Sequence, residues 1–402
     1  MHILWIKTEL LHPVDKGGKI RTYQMLRALA KEHQVTYLCL DDGLAAPDAL
    51  QRAQEYATRT VVVPFAPPAK GSVSFFAALA HNLYSRLPYA IARYESAALR
   101  AQIAELAPDV DLIVCDFLAP AINVPASLCG RTVLFQHNVE AMIWQRHASV
   151  PQNALRRAYM QLQWRRMLDF EAATCQRFAH VVAVSEGDAA VFRGEYGATS
   201  VSDVSTGVDL GYFSPTPGIR RGTRELVFVG SMDWMPNDEG IRWFASEVFP
   251  LVQQQIADAR LTVVGRSPSA GLRDAAAANR AIEITGTVPD VRPYLERAAL
   301  SVVPLRIGGG TRLKIYEAMA LGVPIVSTTI GAEGLPVRDG EHLRLADTPQ
   351  AQAATLVDLL RRPDEAQRLA VNARRYVERH CSWEAVSAQF ISHVELKKER
   401  AA

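Results

Sequence analysis

The sequence has few cysteines and no excess of charge of either sign. Its five cysteines are scattered, without a CxxC pair or a His/Cys cluster that would suggest zinc. Cys39 and Cys115 lie inside apolar runs, so we interpret the cysteines as buried reduced thiols, which fits a reducing cytosol. The formal net charge is only +2 in 402 residues, which argues against nucleic acid as a partner.

Long hydrophobic runs are also missing. No stretch reaches the roughly 18 uncharged apolar residues that are needed to span a bilayer. The chain begins with a strand-like segment, residues 3–6, rather than with the pattern of a secretory signal. We therefore expect a cytoplasmic protein. The motifs GxGxxG after a strand and GxxxxGK[ST] are absent too, which disfavours a nicotinamide dehydrogenase and a P-loop enzyme.

Short runs rich in Val, Ile and Leu alternate with amphipathic stretches, and this alternation occurs twice. The predicted strands are 2–6, 35–40, 60–64, 111–116, 131–136, 180–184, 225–230, 261–265, 282–285, 300–304 and 323–328. Continuous apolar runs are typical of parallel strands that helices cover on both faces. The sequence thus predicts an α/β protein with two doubly wound, Rossmann-like domains that face a cleft.

A stretch rich in proline and glycine, residues 212–222, is the best linker candidate. We therefore predict an N-terminal domain at residues 1–217 and a C-terminal domain at 218–383. A last helix, at 384–402, follows them, and its packing back on the first domain is left open.

The most informative segment is a glycine-rich loop, residues 307–311, that follows the predicted strand 300–304. Its glycines allow a ligand to approach the backbone closely, and the helix after it presents free N–H groups. With Arg312 and Lys314 at the helix start, the segment predicts an anion site suited to a diphosphate. A plain ion pair between Lys314 and Glu317, three residues apart, is the alternative.

Fragments in a fixed order along most of the chain carry a family resemblance. They are 16–21, 135–140, 184–186, 206–209, 228–231, 234–237, 264–266, 286–288 and 316–326. In these fragments the sequence resembles the retaining glycosyltransferases of the GT-B architecture, the family 4 group. A narrower similarity points to the sugar transferases that accompany exosortase-linked exopolysaccharide loci.

The resemblance implies a retaining, metal-independent hexosyltransferase of cell-surface or exopolysaccharide synthesis. Its donor would be a nucleotide-diphosphate sugar, UDP- or GDP-linked, and its acceptor a glycan or a lipid-linked sugar. By the same resemblance the N-terminal domain is the acceptor side and the C-terminal domain binds the nucleotide sugar.

The resemblance also implies roles for individual residues. Glu317 corresponds to the second acid of the family's Glu-x7-Glu motif, which binds the ribose hydroxyls; Arg266 matches the usual arginine, and the backbone near Val288 holds the base. Arg312 and Lys314 fall where the loop meets the diphosphate, and we expect both to act catalytically on the leaving group. Further donor-binding positions are Gly230, Gly309, Gly310, Thr311 and Leu313.

One position departs from the family pattern. Gly309 stands where relatives have the motif's first glutamate, which helps to hold the donor hexose. The donor sugar is therefore open, and two alternatives follow. One is a nucleotide-sugar epimerase of the same architecture, although the sequence shows no convincing acid/base pair for it. The other is a catalytically inactive, sugar-nucleotide-binding partner subunit.

In the first domain, Gly17 and Gly18 form a loop before the predicted helix 19–31, and its backbone N–H groups can approach a phosphate of the donor or the acceptor. A glycine turn that serves only packing is the alternative. His137 lies at the carboxyl end of a predicted strand. As its family counterpart does, it can hydrogen-bond the donor sugar or stabilise charge as the glycosidic bond breaks, so we name it as a catalytic candidate.

We assign no metal and no cofactor besides the nucleotide sugar as co-substrate. Asp109-Val110-Asp111 resembles the metal-binding DxD of another glycosyltransferase architecture, but it precedes a buried strand and lacks a second ligand cluster. Arginine and lysine then neutralise the leaving diphosphate. Segments 72–99 and 154–170 mix aromatic and basic residues and suit peripheral contact with the inner face of a membrane, although ordinary packed helices explain them better.

Overall fold

The structure is a computed structural model that describes residues 1–15, 17–69, 71–149, 154–219, 221–307 and 312–401. The chain forms two compact units. Unit 1 contains Met1–Ser205 and Val386–Ala402, and unit 2 contains Thr206–Ala385.

Unit 1 is built on a parallel sheet with the strand order β3-β2-β1-β4-β5-β6-β7. Its strands are β1 His2–Lys7, β2 Gln34–Asp41, β3 Arg59–Pro64, β4 Leu112–Asp116, β5 Thr132–Phe135, β6 His180–Ala183 and β7 Val201–Asp203. Its helices are α1 Gly17–Leu29, α2 Ala49–Arg52, α3 Val73–Asn82, α4 Tyr89–Ala92, α5 Ala97–Leu106, α6 Ala126–Cys129, α7 Glu140–Ser149, α8 Ala154–Arg177 and α9 Glu186–Gly194. Short 3₁₀ turns lie at Ala53–Glu55, Ala107–Asp109 and Ala119–Asn123. The central strands β1 and β4 are buried, except for the half-buried His2 at the start of β1, because both faces of the sheet are covered.

Unit 2 repeats this plan with the strand order β10-β9-β8-β11-β12-β13, again parallel. Its strands are β8 Glu225–Val229, β9 Arg260–Val264, β10 Ile282–Gly286, β11 Leu300–Val303, β12 Ile325–Ser327 and β13 Arg344–Leu345. Its helices are α10 Met235–Trp243, α11 Phe249–Gln255, α12 Ala270–Ala278, α13 Arg292–Arg297, α14 Leu313–Ala320, α15 Pro349–Arg361 and α16 Pro363–His380, with a π-helical turn at Phe244–Val248. The last helix, α17 Trp383–Ala401, begins in unit 2 and lies mostly in unit 1.

The strand order places the candidate site residues. In unit 1 the order of strands reverses between β1 and β4, and in unit 2 it reverses between β8 and β11. Parallel strands share one carboxyl edge, and a ligand of such a sheet binds at that edge next to the reversal. The loops that follow β1, β4, β8 and β11 are therefore the segments to search.

The boundary between the units falls after Ser205, earlier than the predicted position near 217. Contacts inside unit 2 account for the difference. The backbone N–H of Val208 donates to the carbonyl of Cys381 at 2.7 Å, and a Cβ on Gly207 would lie 2.6 Å from the Trp383 ring. Residues after 205 are thus held by the end of the second unit, and the proline-rich composition at 215–218 marks a loop rather than the boundary.

The described structure bears on two expectations from composition. All five cysteines are buried and none forms a disulfide. Among the described helices, none combines the length and the apolar character that crossing a bilayer requires.

Candidate functional site

Most of the predicted donor-binding residues that the structure describes lie at the carboxyl edge of the unit 2 sheet. Gly230 directly follows β8, Arg266 follows β9 and Val288 follows β10. Leu313 is the first residue of α14, the helix after β11, and Glu317 lies one turn further on. Gly309, Gly310 and Thr311, the loop between β11 and α14, lie outside the described residues.

The turns after β8 and β9 are closely packed around two glycines, Gly230 and Gly265. A Cβ on Gly230 would lie 2.8 Å from both Nδ2 of Asn237 and Nζ of Lys314. A Cβ on Gly265, whose φ is +152°, would lie 1.9 Å from the carbonyl oxygen of Gly230. The turns after β8 and β9 therefore touch through bare backbone, and Lys314 rests on the first of them.

Lys314 is fixed by contacts within unit 2. Its Nζ donates to Oδ1 of Asn237 at 2.6 Å and lies 4.6 Å from the centre of the Phe228 ring. Asn237 is buried and donates through Nδ2 to the carbonyl of Ser231 at 2.8 Å, so its amide orientation is set. Burial lowers the pKa of Lys314 to about 7, which Glu317 opposes and Arg312 reinforces.

Glu317 forms the second half of this arrangement. Burial raises the pKa of its carboxyl to about 7, and the ammonium of Lys314 opposes the shift. Among the ion pairs between described residues, none joins Lys314 with Glu317, so the alternative of a plain surface pair does not describe this site. The two groups act on each other at a distance, and both titrate near neutral pH.

The two arginines of the predicted set differ in their surroundings. Arg312 is the N-cap of α14, with a left-handed backbone (φ 53°), and its buried side chain lies 3.5 Å from the carboxylate of Glu333. Arg266 is half-exposed, and its Nε donates to Oγ of Ser231 at 2.9 Å and to Oδ2 of Asp233 at 3.0 Å. Arg266 thus lies beside the turn after β8, whereas Arg312 is turned toward a carboxylate that the sequence analysis had not considered.

In unit 1, the prediction of a loop at Gly17 and Gly18 is wrong, since both belong to the first turn of a helix, and this turn packs on an aromatic ring. The helix α1 begins at Gly17, and a Cβ on Gly18 would lie 2.8 Å from Cζ of Phe117. Phe117 follows β4 and has a left-handed backbone (φ 71°), which is uncommon for a bulky residue. Its ring in turn stacks on the imidazole of His137, with the ring centres 3.9 Å apart.

A fully buried carboxylate, Asp116, lies at the centre of the unit 1 site. Its Oδ2 accepts from Nζ of Lys7 at 2.9 Å, from Oγ1 of Thr22 at 2.6 Å and from Nε1 of Trp5 at 3.0 Å. Its Oδ1 lies 2.8 Å from Nε2 of His137. Burial works against the charge, but the ammonium of Lys7 and the imidazole of His137 outweigh it and lower the pKa of Asp116.

This network sets the state of His137. Burial lowers its pKa to about 4, although Asp116 opposes the shift, so the imidazole is neutral at pH 7. Both ring nitrogens are buried, and neither makes a hydrogen bond to a described residue. Nε2 is nevertheless the nitrogen that lies beside the negative charge of Asp116, and this charge favours the neutral tautomer whose proton is on Nε2 and whose lone pair is on Nδ1. His137 therefore presents an acceptor, not a cation.

Three residues of these sites were missed by the sequence analysis: Lys7, Asp116 and Asn237. Lys7 and Asp116 are the last residues of β1 and β4, and Asn237 lies in the first turn of α10. A rule that collects the polar residues at strand ends next to the order reversal would have found the first two.

Two family models match the chain. The model described as Glycosyltransferase Family 4 matches residues 16–212, and the model described as Glycosyl transferases group 1 matches residues 223–362. Together they cover most of both units, so the chain belongs to the family 4-like glycosyltransferases of the GT-B type.

Solved structures of the same architecture cover the whole chain. Sucrose-phosphate synthase from Thermosynechococcus elongatus superposes with a TM-score of 0.69 at 18% identity, covering 100% of each chain. HepE from Anabaena, in complex with UDP and glucose, superposes with a TM-score of 0.65 at 15% identity, covering 98% of this chain and 99% of that one. These likenesses establish the GT-B fold.

Curated relatives match over shorter stretches. A 44.6 kDa protein in the cps region of Klebsiella pneumoniae is 27% identical over 161 residues, which is 38% of this chain and 41% of that protein. The phosphatidyl-myo-inositol mannosyltransferase of Mycobacterium tuberculosis is 27% identical over 200 residues, 47% of this chain and 52% of the relative. The chain thus spans about half the length of the curated relatives that it matches.

Proposed function

We propose that this chain transfers a hexose from a nucleotide-diphosphate sugar to a hydroxyl of a glycan or lipid-linked acceptor, with retention at the anomeric carbon. The observation that carries the proposal is Lys314, whose ammonium is held against the bare backbone of Gly230 at the carboxyl edge of the unit 2 sheet. A cation beside accessible backbone at this edge suits a diphosphate. The complexes of HepE with UDP and with UDP-glucose support a nucleotide sugar as the donor.

The proposed chemistry follows from the residues of unit 2. Lys314 and Arg266, which flank the turn after β8, stabilise the negative charge that develops on the departing diphosphate. Glu317 accepts hydrogen bonds from the ribose hydroxyls, and the backbone near Val288 contacts the base, as the family resemblance implies. Charge stabilisation by these side chains makes a metal ion unnecessary for this step. Retention also follows the resemblance, through attack of the acceptor hydroxyl on the face that the diphosphate leaves.

His137 has a separate proposed role. Its Nε2 lies beside Asp116, whereas its Nδ1 is buried, so this role requires a local movement on donor binding that exposes Nδ1. Nδ1 then accepts a hydrogen bond from a sugar hydroxyl, which orients the ring that reacts. The neutral state matters, because an imidazolium would donate at Nδ1 and would add a positive charge beside Lys7.

We also propose synthesis of a cell-surface polysaccharide, on the cytoplasmic side of the membrane, as the setting. The Klebsiella relative is named for the cps region, and the mycobacterial relatives are named for a phosphatidyl-inositol substrate. Peripheral membrane contact would involve α3 and the start of α8, where Val73, Phe76, Tyr84 and Leu155 are exposed. Arg166 packs instead, since it donates to the carbonyls of Asn82 and Leu83. Sedimentation with anionic liposomes at low salt tests this contact, and failure to sediment would remove it.

A transfer assay tests the central proposal. A panel of nucleotide sugars is first screened by thermal shift, because the tightest binder raises the melting temperature most. With that donor and an acceptor, we expect Lys314→Ala to lower kcat by at least about tenfold, the loss of one charge-assisted contact in the transition state. Lys31→Ala, at an exposed position far along the chain from the site, is the control.

The same assay separates the alternatives. Conversion of the nucleotide sugar to an epimer without an acceptor would identify an epimerase. Tight binding without turnover in any acceptor mixture would identify an inactive binding subunit. Near-normal activity of Lys314→Ala would remove this residue from the mechanism.

A further inference from the structure

Unit 2 has a concave site that does not include Lys314. A cavity of about 440 Å³ lies between α16 and the loop that precedes β13. This volume is within the range of small-molecule sites. Its lining includes Arg338, His342, Arg375, Tyr376, Arg379 and His380.

This cavity and the candidate donor site occupy different parts of unit 2. Arg338 and His342 come just before β13, at the edge where the parallel strands of the sheet begin. Gly230 and Arg266 directly follow their strands, at the opposite edge of the same sheet. A ligand in the cavity therefore does not depend on Lys314.

The charges on α16 are distributed unevenly around the helix. Arg368 pairs with Glu365 at 2.7 Å, and Arg374 pairs with Glu378 at 2.6 Å. Arg375 and Arg379 line the cavity, and neither has an ion pair with a described residue. They lie one turn apart on the same face, where like charges repel each other and weaken the helix. An anion between them would remove that repulsion.

Three aromatic rings in tilted contact form one wall. The ring of Tyr376 lies 4.7 Å from that of His342 and 5.0 Å from that of His380. The backbone N–H of Arg338 donates to Nδ1 of His342 at 3.2 Å, so the neutral ring carries its proton on Nε2. This Nε2–H faces the carboxylate of Glu341 at 3.5 Å.

One carboxylate, Glu341, also lines the cavity. It lies 3.2 Å from Nη1 of Arg338 and 3.5 Å from Nε2 of His342. Glu341 can offset one of the three arginines only, so the cavity keeps a net positive charge. Arginine binds carboxylate and phosphate oxygens through paired N–H groups, and the surplus of positive charge from three arginines favours phosphate, which carries more negative charge.

We propose that the cavity binds a phosphate-bearing anion, held by Arg375 and Arg379 from α16 and by Arg338 from the facing loop. The spacing of one helical turn between Arg375 and Arg379 suits two linked phosphates, so pyrophosphate is the probe that we would use first. The phosphate can belong to a free small molecule or to a lipid headgroup, since the same donors serve both.

Calorimetric titration of the full chain with pyrophosphate tests the proposal. To silence the candidate donor site, the titrations use the Lys314→Ala chain. We expect the added pair Arg375→Gln and Arg379→Gln to weaken binding at least tenfold. Arg374→Gln, a neighbour on the same helix that does not line the cavity, should leave the affinity unchanged. Melting temperatures of all variants confirm that they fold.

Three results would contradict the proposed phosphate site. Absence of binding to the Lys314→Ala chain, equal affinity in the double variant, or an equal loss in Arg374→Gln would each overturn the proposal. A second arm uses vesicles with phosphatidylglycerol and vesicles of phosphatidylcholine alone. If the chain sediments with the anionic vesicles and the substitutions Arg375→Gln and Arg379→Gln abolish this sedimentation, the ligand is a lipid headgroup. If the chain binds pyrophosphate but does not sediment with the vesicles, the ligand is a free phosphate compound. Both results are independent of glycosyl transfer.

Discussion

The affinity for the donor should depend on pH in a way that Lys314 and Glu317 determine. In the empty site the pKa of Lys314 is lowered to about 7, so near pH 7 about half of the molecules carry the ammonium. A bound diphosphate stabilises the protonated form and raises this pKa. The contribution of Lys314 to affinity is therefore fully present below pH 7. It falls by up to about tenfold per pH unit above it, until the pKa of the complex is reached.

Glu317 should give the opposite dependence. Its pKa is raised to about 7 in the empty site, and the ribose hydroxyls bind best to the carboxylate. A bound ribose thus lowers the pKa of Glu317. Its contribution is present above pH 7 and is lost as the pH falls below that value. The two dependences together predict an affinity maximum near pH 7 in the wild-type chain.

Single substitutions should separate the fall in affinity above pH 7 from the rise in affinity below it. Glu317→Gln keeps only the fall in affinity toward high pH, and this fall shifts to lower pH because the carboxylate no longer raises the pKa of Lys314. Lys314→Met keeps only the rise in affinity toward high pH. This rise shifts to higher pH, because the ammonium no longer lowers the pKa of Glu317. Lys314→Arg, whose guanidinium stays charged, should remove the fall without removing the attraction.

Isothermal titration calorimetry between about pH 5.5 and pH 8.5 measures these affinities across the range where both groups titrate. The titrant should be the nucleotide sugar and not the free nucleotide, because a terminal phosphate titrates near pH 6 by itself. A wild-type affinity that stays flat over this range would refute the reasoning. So would a Lys314→Met chain that still loses affinity toward high pH.

Two further predictions concern stability. Asp116→Asn leaves the buried ammonium of Lys7 without its counter-charge and should cost about 3–5 kcal/mol in urea unfolding, while Lys7→Met added to it should recover part of the loss. If the two effects simply add, the pair is not coupled as described. Gly265→Ala places a Cβ 1.9 Å from the carbonyl oxygen of Gly230 and should cost more than the roughly 1–3 kcal/mol of ordinary overpacking. Gly130→Ala, where a Cβ meets nothing within 4 Å, is its control, and equal melting temperatures of the two variants would contradict the clash.

The sheets were predictable from the sequence to a large extent. Each of the eleven predicted strands corresponds to a strand of the structure within about three residues, because a buried parallel strand needs a continuous apolar run. The two missed strands, β7 Val201–Asp203 and β13 Arg344–Leu345, are short edge strands. Each is only partly buried, so its sequence carries no such run.

The site was predictable only in part, because its decisive contacts join distant segments. Lys7 and Asp116 are 109 residues apart, and Lys314 and Asn237 are 77 apart. A single sequence gives the strand ends but not which side chains meet there. Thr22 is an example that the sequence alone does not reveal. It lies on α1 and is fully buried, and its hydroxyl is satisfied there by a hydrogen bond that it donates to Asp116.

We propose that Lys314 supplies a positive charge that the family resemblance implies at another position in the sequence. The family resemblance implies a lysine five residues after the arginine that Arg266 matches, but this chain has Gly271 there. In the sheet, β9 and β11 lie on either side of β8. Arg266 reaches the turn after β8 from the β9 side, where it donates to Ser231. Lys314 reaches the same turn from the helix that follows β11, and it rests on Gly230. Because a diphosphate responds to where the charge lies and not to which strand supplies it, two cations that flank one glycine turn satisfy the same physical requirement.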